Sequence, residues 1–510
     1  MKTFCQVIMT IFCILTIPKI HAQTVYKDVA PIFYSRCTSC HHENQHAPSM
    51  MNYSETIALS YSMMSDLMTN KMPPWPPDTS YTRFEHEHII TTSEKNAIIN
   101  WISNGGLAGD TTLAPPPPVY SPFQLNGTPD LVLRTGMFTS NAGSTDAYNC
   151  FSIPTNLTQD RILRAYEIVP GNVPIVHHVV VNLDSMGTTS SSLSGTCYTI
   201  TGDIGIGGYA PGAPPTVFPG QAPLKAGIRI KAGSKLVLQI HYPAGTIGQI
   251  DSTQIRLYFY PIGTTGVRTI YNNVPLQNWG LNIPANTTRT FNASYTLPAA
   301  ISIFSDFPHS HKVCTSLINY AYQANDTIPL IRINSWKFDW QGYYTFRNLV
   351  KVPSGYTLFA SHFFDNTINN PNNPNSPPLN VYAGTSTTDE MLFDAIQCLL
   401  YQPGDETINI DSILANDPLL SANVNEHSFD LTQTYVYPNP STDLFNIYLS
   451  KESEYRMSIF SIAGQRISET IVTDNFTSLS TKNVPDGMYL LKIEDTKSNE
   501  QFVKKIIISH

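Results

Sequence analysis

Five clusters of reactive side chains are spread along this 510-residue chain. RCTSCHH contains a C-x-x-C-H in which Cys37 and Cys40 can form thioether bonds to haem c and His41 can be the proximal iron ligand. A plain disulfide or a thioredoxin-like redox pair has no use for the following His, and a zinc half-site would want a second Cys/His pair. His177 and His178 stand in PIVHHVVV, an apolar, β-branched run. Successive strand side chains point to opposite faces, so keeping both imidazoles there is costly unless they share a use. His241 in LVLQIHYPAG, the pair His309 and His311 in FPHSHKVC, and Met391 in TTDEMLFD complete the set. A His-x-His on a strand puts two imidazoles on one face, a plausible half-site for copper or zinc, although each cluster alone is a weak signal.

The elements that must position these residues change character along the chain. Residues 23–112 pattern as short helices, as in EKNAIINWISNGG, whose Ile98, Ile99, Trp101 and Ile102 fall near one face before a Gly stop. In NKMPPWPPD, proline fixes the backbone around Met72, whose thioether would raise the potential of an iron it ligates. This resembles the class I cytochrome c arrangement, with Met72 in the family's distal position; Met63, Met64, His86 and His88 are its rivals. A stiff, proline-rich spacer follows at 113–124, with APPPP at its centre. Beyond it the chain alternates apolar and polar residues between turn clusters, the pattern of antiparallel β-sandwiches.

Composition sets outer limits. Only 13% of residues are charged and the net charge is −8, so nucleic acid is not an expected partner. The first 22 residues have Lys2 near the start and an apolar stretch ending before Gln23, the form of a secretory signal peptide. Later segments fall short of about 18 uninterrupted apolar residues, so no membrane span is expected in the mature protein. Cys5 and Cys13 would leave with the leader, and an exported chain can oxidise those of the remaining six that are not used otherwise.

The order and surroundings of the His and Met clusters resemble the copper type II, ascorbate-dependent monooxygenases, the family of dopamine β-hydroxylase and peptidylglycine α-hydroxylating monooxygenase. The chain matches the family's His-His, then Gln-x-His-Tyr after a Gly-rich turn, then His-x-His, then Asp-Glu-Met. GGYAPGAPPTVFP, FDWQGYYTF and FFDNTINNPNNP look like the connecting segments of bacterial members. The match runs over roughly residues 125–403. It implies two β-sandwiches, 125–268 and 269–403, with His177, His178 and His241 on one copper and His309, His311 and Met391 on the catalytic one. Adjacent histidines can serve one metal if the backbone twists and one ring offers Nδ1 while the other offers Nε2. The soft thioether of Met391 favours Cu(I), and the all-His site would store and pass an electron.

The same resemblance makes Cys150 and Cys197 a disulfide. A shared copper would also bring Cys314 and Cys398 near each other, as a bridge or, failing that, as copper ligands. The peptide-amidating branch holds a carboxylate with an Arg, an Asn and a Tyr where this chain has Phe307, Phe393 and Ala395. An apolar wall binds a carboxylate poorly, so a small apolar or aromatic substrate is expected instead.

After a linker at 404–429, residues 430–510 contain YPNPS, FSIAGQRI, PDGMYLLKI and KKIIIS, which look like the type A sorting domain of the type IX secretion system, an Ig-like β-sandwich. The chain therefore reads as a mainly β, multidomain protein. It comprises a small helical cytochrome c domain, two copper sandwiches and an export tail, secreted or displayed by a Gram-negative bacterium via the periplasm. It would carry two copper ions and one covalent haem c, and hydroxylate a C–H bond with O₂. Electrons would come through the haem from ascorbate or a redox protein. The alternative is a haem and copper electron-transfer or copper-binding protein without turnover.

Overall fold

The computed structural model describes residues 23–43, 45, 47–118, 120, 123–190, 194–197, 201–212, 214–420, 435–437, 439–449, 453–461, 464–473, 476–497 and 501–510. The leader reading at 1–22 lies outside them. No helix among the described residues is long and apolar enough to cross a membrane.

A helical unit draws its described residues from 23–38, 49–73 and 89–118, whereas 39–48 and 74–88 group with the β-rich remainder. The helix Thr92–Ser103 begins at a capping box in which Thr91 and Glu94 satisfy each other's backbone N–H. Three residues apart, Ile98 and Trp101 are both fully buried, and the indole packs against Tyr26 and Phe33 of the helix Tyr26–Arg36. The helix stops at Gly105 and Gly106, both at positive φ, where a side chain would be strained. Met63 is part of this core.

The first β-sandwich pairs a seven-stranded sheet with a five-stranded one. In the smaller sheet the strand Lys235–Tyr242 lies between Ala147–Pro154 and His178–Asp184, and Ile204–Tyr209 pairs with the far side of His178–Asp184. Leu236, Leu238 and Ile240 alternate into the core, as do Val179, Val181 and Leu183 opposite them. Val267–Thr269 still pairs with this sandwich, and Tyr271–Gln277 opens the next one. There, two four-stranded sheets face each other across a core that includes Ile303, Leu317, Phe346, Ala360 and Ile396. One sheet carries Tyr271–Gln277, Phe393–Leu400, Ile301–Phe307 and Tyr344–Val352; the other carries Thr288–Thr296, Thr357–Asp365, Cys314–Gln323 and Asp326–Ile333.

The stretch from 404, expected as linker, departs from that reading as far as residue 420. Ile410–Ala415 is a helix capped by Asn409, and its Ile410, Ile413 and Leu414 are buried in the core of the first sandwich. Their i, i+3, i+4 spacing supplies the apolar face. The ion pair of Arg164 with Asp417 adds a second attachment, at 2.6 Å. Residues 421–429 of the expected linker lie outside the described residues. The tail forms a three-stranded and a four-stranded sheet around Phe445, Ile447, Leu491, Ile493 and Ile506.

Candidate metal centres

The first cluster is built by strand register. His178 opens its strand and stands directly across from His241, while His177 precedes the strand, just after a 3-10 turn at Val173–Ile175. Because His177 lies outside the pleat, strict alternation does not apply to it, and its ring turns to the same place as that of His178. Its backbone N–H donates to the His241 carbonyl at 3.0 Å. The Nδ1 atoms of His177 and His178 are 3.2 Å apart, and those of His241 and His178 are 3.3 Å apart. The expectation of one Nδ1 and one Nε2 from the adjacent pair is thus replaced by three Nδ1 atoms facing one another.

These spacings fit a metal. Nitrogens at about 2.0 Å from a tetrahedral ion lie about 3.3 Å apart. Without an ion, the ring nitrogen of His178 faces two others and can satisfy only one of them with a single hydrogen. Burial, together with the neighbouring imidazoles, holds His178 well below the usual histidine range, so the ring is the neutral, ligating form. Asp146 Oδ2 approaches His241 Nε2 at 3.2 Å, although the N–H is not aimed along a hydrogen bond. That contact with His241 drives the Asp146 carboxyl down to about 2. It favours a proton on Nε2 and leaves Nδ1 for the metal.

The second cluster is a loop held by buried carboxylates. His309 and His311 follow the strand Ile301–Phe307, and their rings cross nearly at right angles, 5.2 Å between centroids. His309 Nδ1 lies 2.5 Å from Gln341 Oε1, and His311 Nδ1 lies 3.1 Å from the Asp389 carbonyl. Both partners are oxygens that only accept, so each Nδ1 carries the hydrogen and each Nε2 keeps its lone pair for a ligand. Burial pushes His309 down to about 3 and His311 to about 4, again the neutral form. Ser310 donates to the Met391 carbonyl at 2.5 Å, tying the third expected ligand to the residue between the two histidines.

Glu390, fully buried, accepts the backbone N–H groups of His311, Val313, Cys314 and Met391 at 2.7–3.1 Å. Burial still raises its carboxyl to about 7. Asp394 accepts the His309 N–H at 2.9 Å, and His362 Nε2 meets its other oxygen at 3.0 Å. Sequence reasoning assigned no role to Asp146, Gln341, Glu390, Asp394 or His362. The available signal was charge inside apolar strands, as in FDAIQCLL and LFASHFFD, where a polar residue needs a buried partner.

An aromatic wall surrounds His309 and His311. Phe307 stacks on His309 and on Tyr343, Phe393 lies edge-on to His309 beside Trp279, and Phe338 is edge-on to His311. Ala395 pairs with Phe307 across adjacent strands.

Cys150, on the strand beside that of His241, forms a disulfide with Cys197, Cα atoms 5.8 Å apart. The expected bridge between Cys314 and Cys398 is not formed, and both are buried thiols. They belong to opposite sheets of the second sandwich, and each is buried in its core. Burial pushes Cys398 up to about 11, and burial with the Glu390 charge pushes Cys314 well up, so without a metal both are neutral thiols.

In the C-x-x-C-H stretch, His41 Nδ1 lies 2.8 Å from the Pro48 carbonyl. That bond places the hydrogen on Nδ1 and leaves Nε2 as the lone-pair nitrogen that an axial ligand needs. Cys40 packs so tightly on Gly212 that a Cβ there would come within 2.4 Å of its Sγ. Met72 is half-buried, its backbone N–H bonded to the Asp66 carbonyl.

Residues 435–509 match the secretion system C-terminal sorting domain family. The tail therefore addresses the chain to the type IX secretion machinery and marks a secreted or cell-surface protein of a Bacteroidetes-type Gram-negative bacterium. None of the curated proteins matches the chain. Among solved structures, PorZ, an essential surface component of the type IX secretion system of Porphyromonas gingivalis, is similar at 15% identity. That alignment covers 22% of this chain and 14% of PorZ, with a TM-score of 0.15. A β-glucuronidase from Ruminococcus gnavus is 9% identical over 49% of this chain and 46% of its own, with a TM-score of 0.12. The VP2 subviral particle of infectious bursal disease virus is 9% identical over 56% and 76%, with a TM-score of 0.17.

Proposed function

We propose that this exported protein is a copper-dependent monooxygenase that hydroxylates a C–H bond of a small apolar or aromatic molecule, with electrons supplied through a covalent haem c. The observation that carries this reading is the convergence of three Nδ1 atoms from His177, His178 and His241 at 3.2 and 3.3 Å, the spacing of a ligand set. His309, His311 and Met391 would hold the second copper, and Cys37, Cys40, His41 and Met72 the haem. Bound copper supplies one-electron storage and O₂ activation, and haem supplies an internal reductant.

The chain's own residues do the rest. Gln341 and the Asp389 carbonyl fix which nitrogen of His309 and His311 is presented. Glu390 and Asp394 hold the loop that carries them. Phe307, Phe393, Tyr343 and Trp279 offer an apolar surface beside His309 that excludes water and matches an aromatic or aliphatic substrate, and Phe307, Phe393 and Ala395 supply no cation for a carboxylate.

Elemental analysis with a pyridine haemochrome assay tests the cofactors: two copper ions and one haem per chain are expected, and a single copper, or zinc instead, overturns the two-site reading. Mass spectrometry of products after incubation with ¹⁸O₂ and a library of aromatic and aliphatic candidates tests the reaction. One ¹⁸O atom in an alcohol product is expected. Metal and haem binding with no labelled product would leave an electron carrier instead.

A further inference from the structure

His362 belongs to none of the ligand sets, yet it is fully buried and tied at both ring nitrogens to the second cluster. It sits on the strand Thr357–Asp365. Its Nδ1 lies 2.9 Å from Ser310 Oγ and its Nε2 lies 3.0 Å from Asp394 Oδ2. Ser310 separates His309 from His311 and holds the Met391 carbonyl, while Asp394 holds the backbone N–H of His309. One imidazole therefore reaches every residue of the cluster through a single intermediate on each side. A hydrocarbon of similar volume would fill a core position without the cost of desolvating an imidazole and a carboxylate. The retained polar linkage needs a purpose other than filling space.

We infer that His362 is a positioning residue that sets the relative placement of His309, His311 and Met391, an inference that rests on reading this cluster as a copper site. His362 acts through Ser310 and Asp394 and touches neither the metal nor the substrate. The first cluster, assembled by strand register, does not use it.

The test is Cu(I) affinity of the full mature chain, by competition with a chromophoric Cu(I) chelator, together with X-ray absorption for sulfur scattering from Met391. His362→Leu keeps the volume and removes both bonds. Expected are a 10- to 100-fold loss of affinity at the second cluster, loss of the copper–sulfur signal, and unchanged affinity at the first. His362→Gln, whose amide can still donate to Asp394, should recover part of the loss. A His362→Leu protein with unchanged affinity and sulfur signal overturns the inference, and so does an equal loss at both clusters, which marks a merely structural residue. If His362→Leu does not fold, Ser310→Ala, which removes a single hydroxyl, must give the second-cluster loss, and unchanged affinity there overturns the inference. A wild-type chain that holds only the first copper overturns the copper reading itself, a result obtained before any variant is made.

Discussion

The two histidine clusters solve the same problem by opposite means. The first stands on a sheet: His178 and His241 are cross-strand partners, so the hydrogen-bond ladder that builds the sandwich also sets their spacing. His178 Nδ1 is crowded by the Nδ1 atoms of His177 at 3.2 Å and His241 at 3.3 Å, and the three gain their full compensation only from a shared ion. The second stands on a loop beyond a strand end, and its order comes from side chains that are not ligands, above all Glu390, Asp394 and His362. A register-built site is rigid at no extra cost, whereas a loop-built site needs buried polar fasteners and can be adjusted by changing them.

The sharpest way to break this contrast is to remove a fastener. Glu390→Ala leaves four backbone N–H groups without their acceptor in a dry environment, so the metal-free protein should lose about 3–5 kcal/mol in urea unfolding. His178→Ala, by comparison, should cost the metal-free protein less than about 1 kcal/mol, because it relieves crowding as it removes packing. Equal losses in the two variants would erase the distinction between the two clusters.

Next in size is chemistry. Met391→Ile should lower hydroxylation at least about 100-fold, roughly 2.7 kcal/mol of barrier, while copper at His177, His178 and His241 stays in place. Turnover retained by this variant would show that the thioether is not a ligand.

A smaller effect is expected in the pH dependence. Burial holds His309 at about 3, below its unfolded value of 6.5, so the folded state favours the neutral ring. That contribution is fully present above pH 6.5 and is lost as pH falls toward 3. The metal-free wild type should therefore lose stability relative to His309→Gln across that window, by at most about 1.4 kcal/mol per pH unit. Urea titrations at several pH values between 7 and 4 measure it, and a constant difference would mean the ring is hydrated in solution. Smallest is Trp279→Ala. Its ring is 54% exposed beside Phe393, so stability should stay within about 0.5 kcal/mol, while KM for an aromatic substrate rises about tenfold.

Much of the fold was legible because its signals are periodic. Alternation announced the sandwiches, and the Ile98 and Trp101 spacing announced the helix at Thr92–Ser103. The helix Ile410–Ala415 was equally readable from Ile410, Ile413 and Leu414, but its short length hid it in a stretch read as linker. The partnership of Cys150 with Cys197 was expected only through the family resemblance, in which a disulfide-forming pair flanks the His pair. That of Cys314 with Cys398 failed because nearness to a shared site does not by itself bring two thiols within bonding distance.

By itself the sequence determined which side chains are available: the C-x-x-C-H of Cys37, Cys40 and His41, the histidines at 177, 178, 241, 309 and 311, Met391, and a tail whose local patterns suffice for a sorting domain. These are properties of residue type and short spacing, which a linear chain displays directly. Only the tertiary structure decided which ring nitrogen each histidine presents and which buried groups hold it there. Asp146 beside His241, Gln341 against His309, and His362 between Ser310 and Asp394 are separated by 95, 32, and 52 and 32 residues respectively. Hydrogen bonds act over about 3 Å, so partners so far apart in the chain meet only when strands pair and sheets close on a common core.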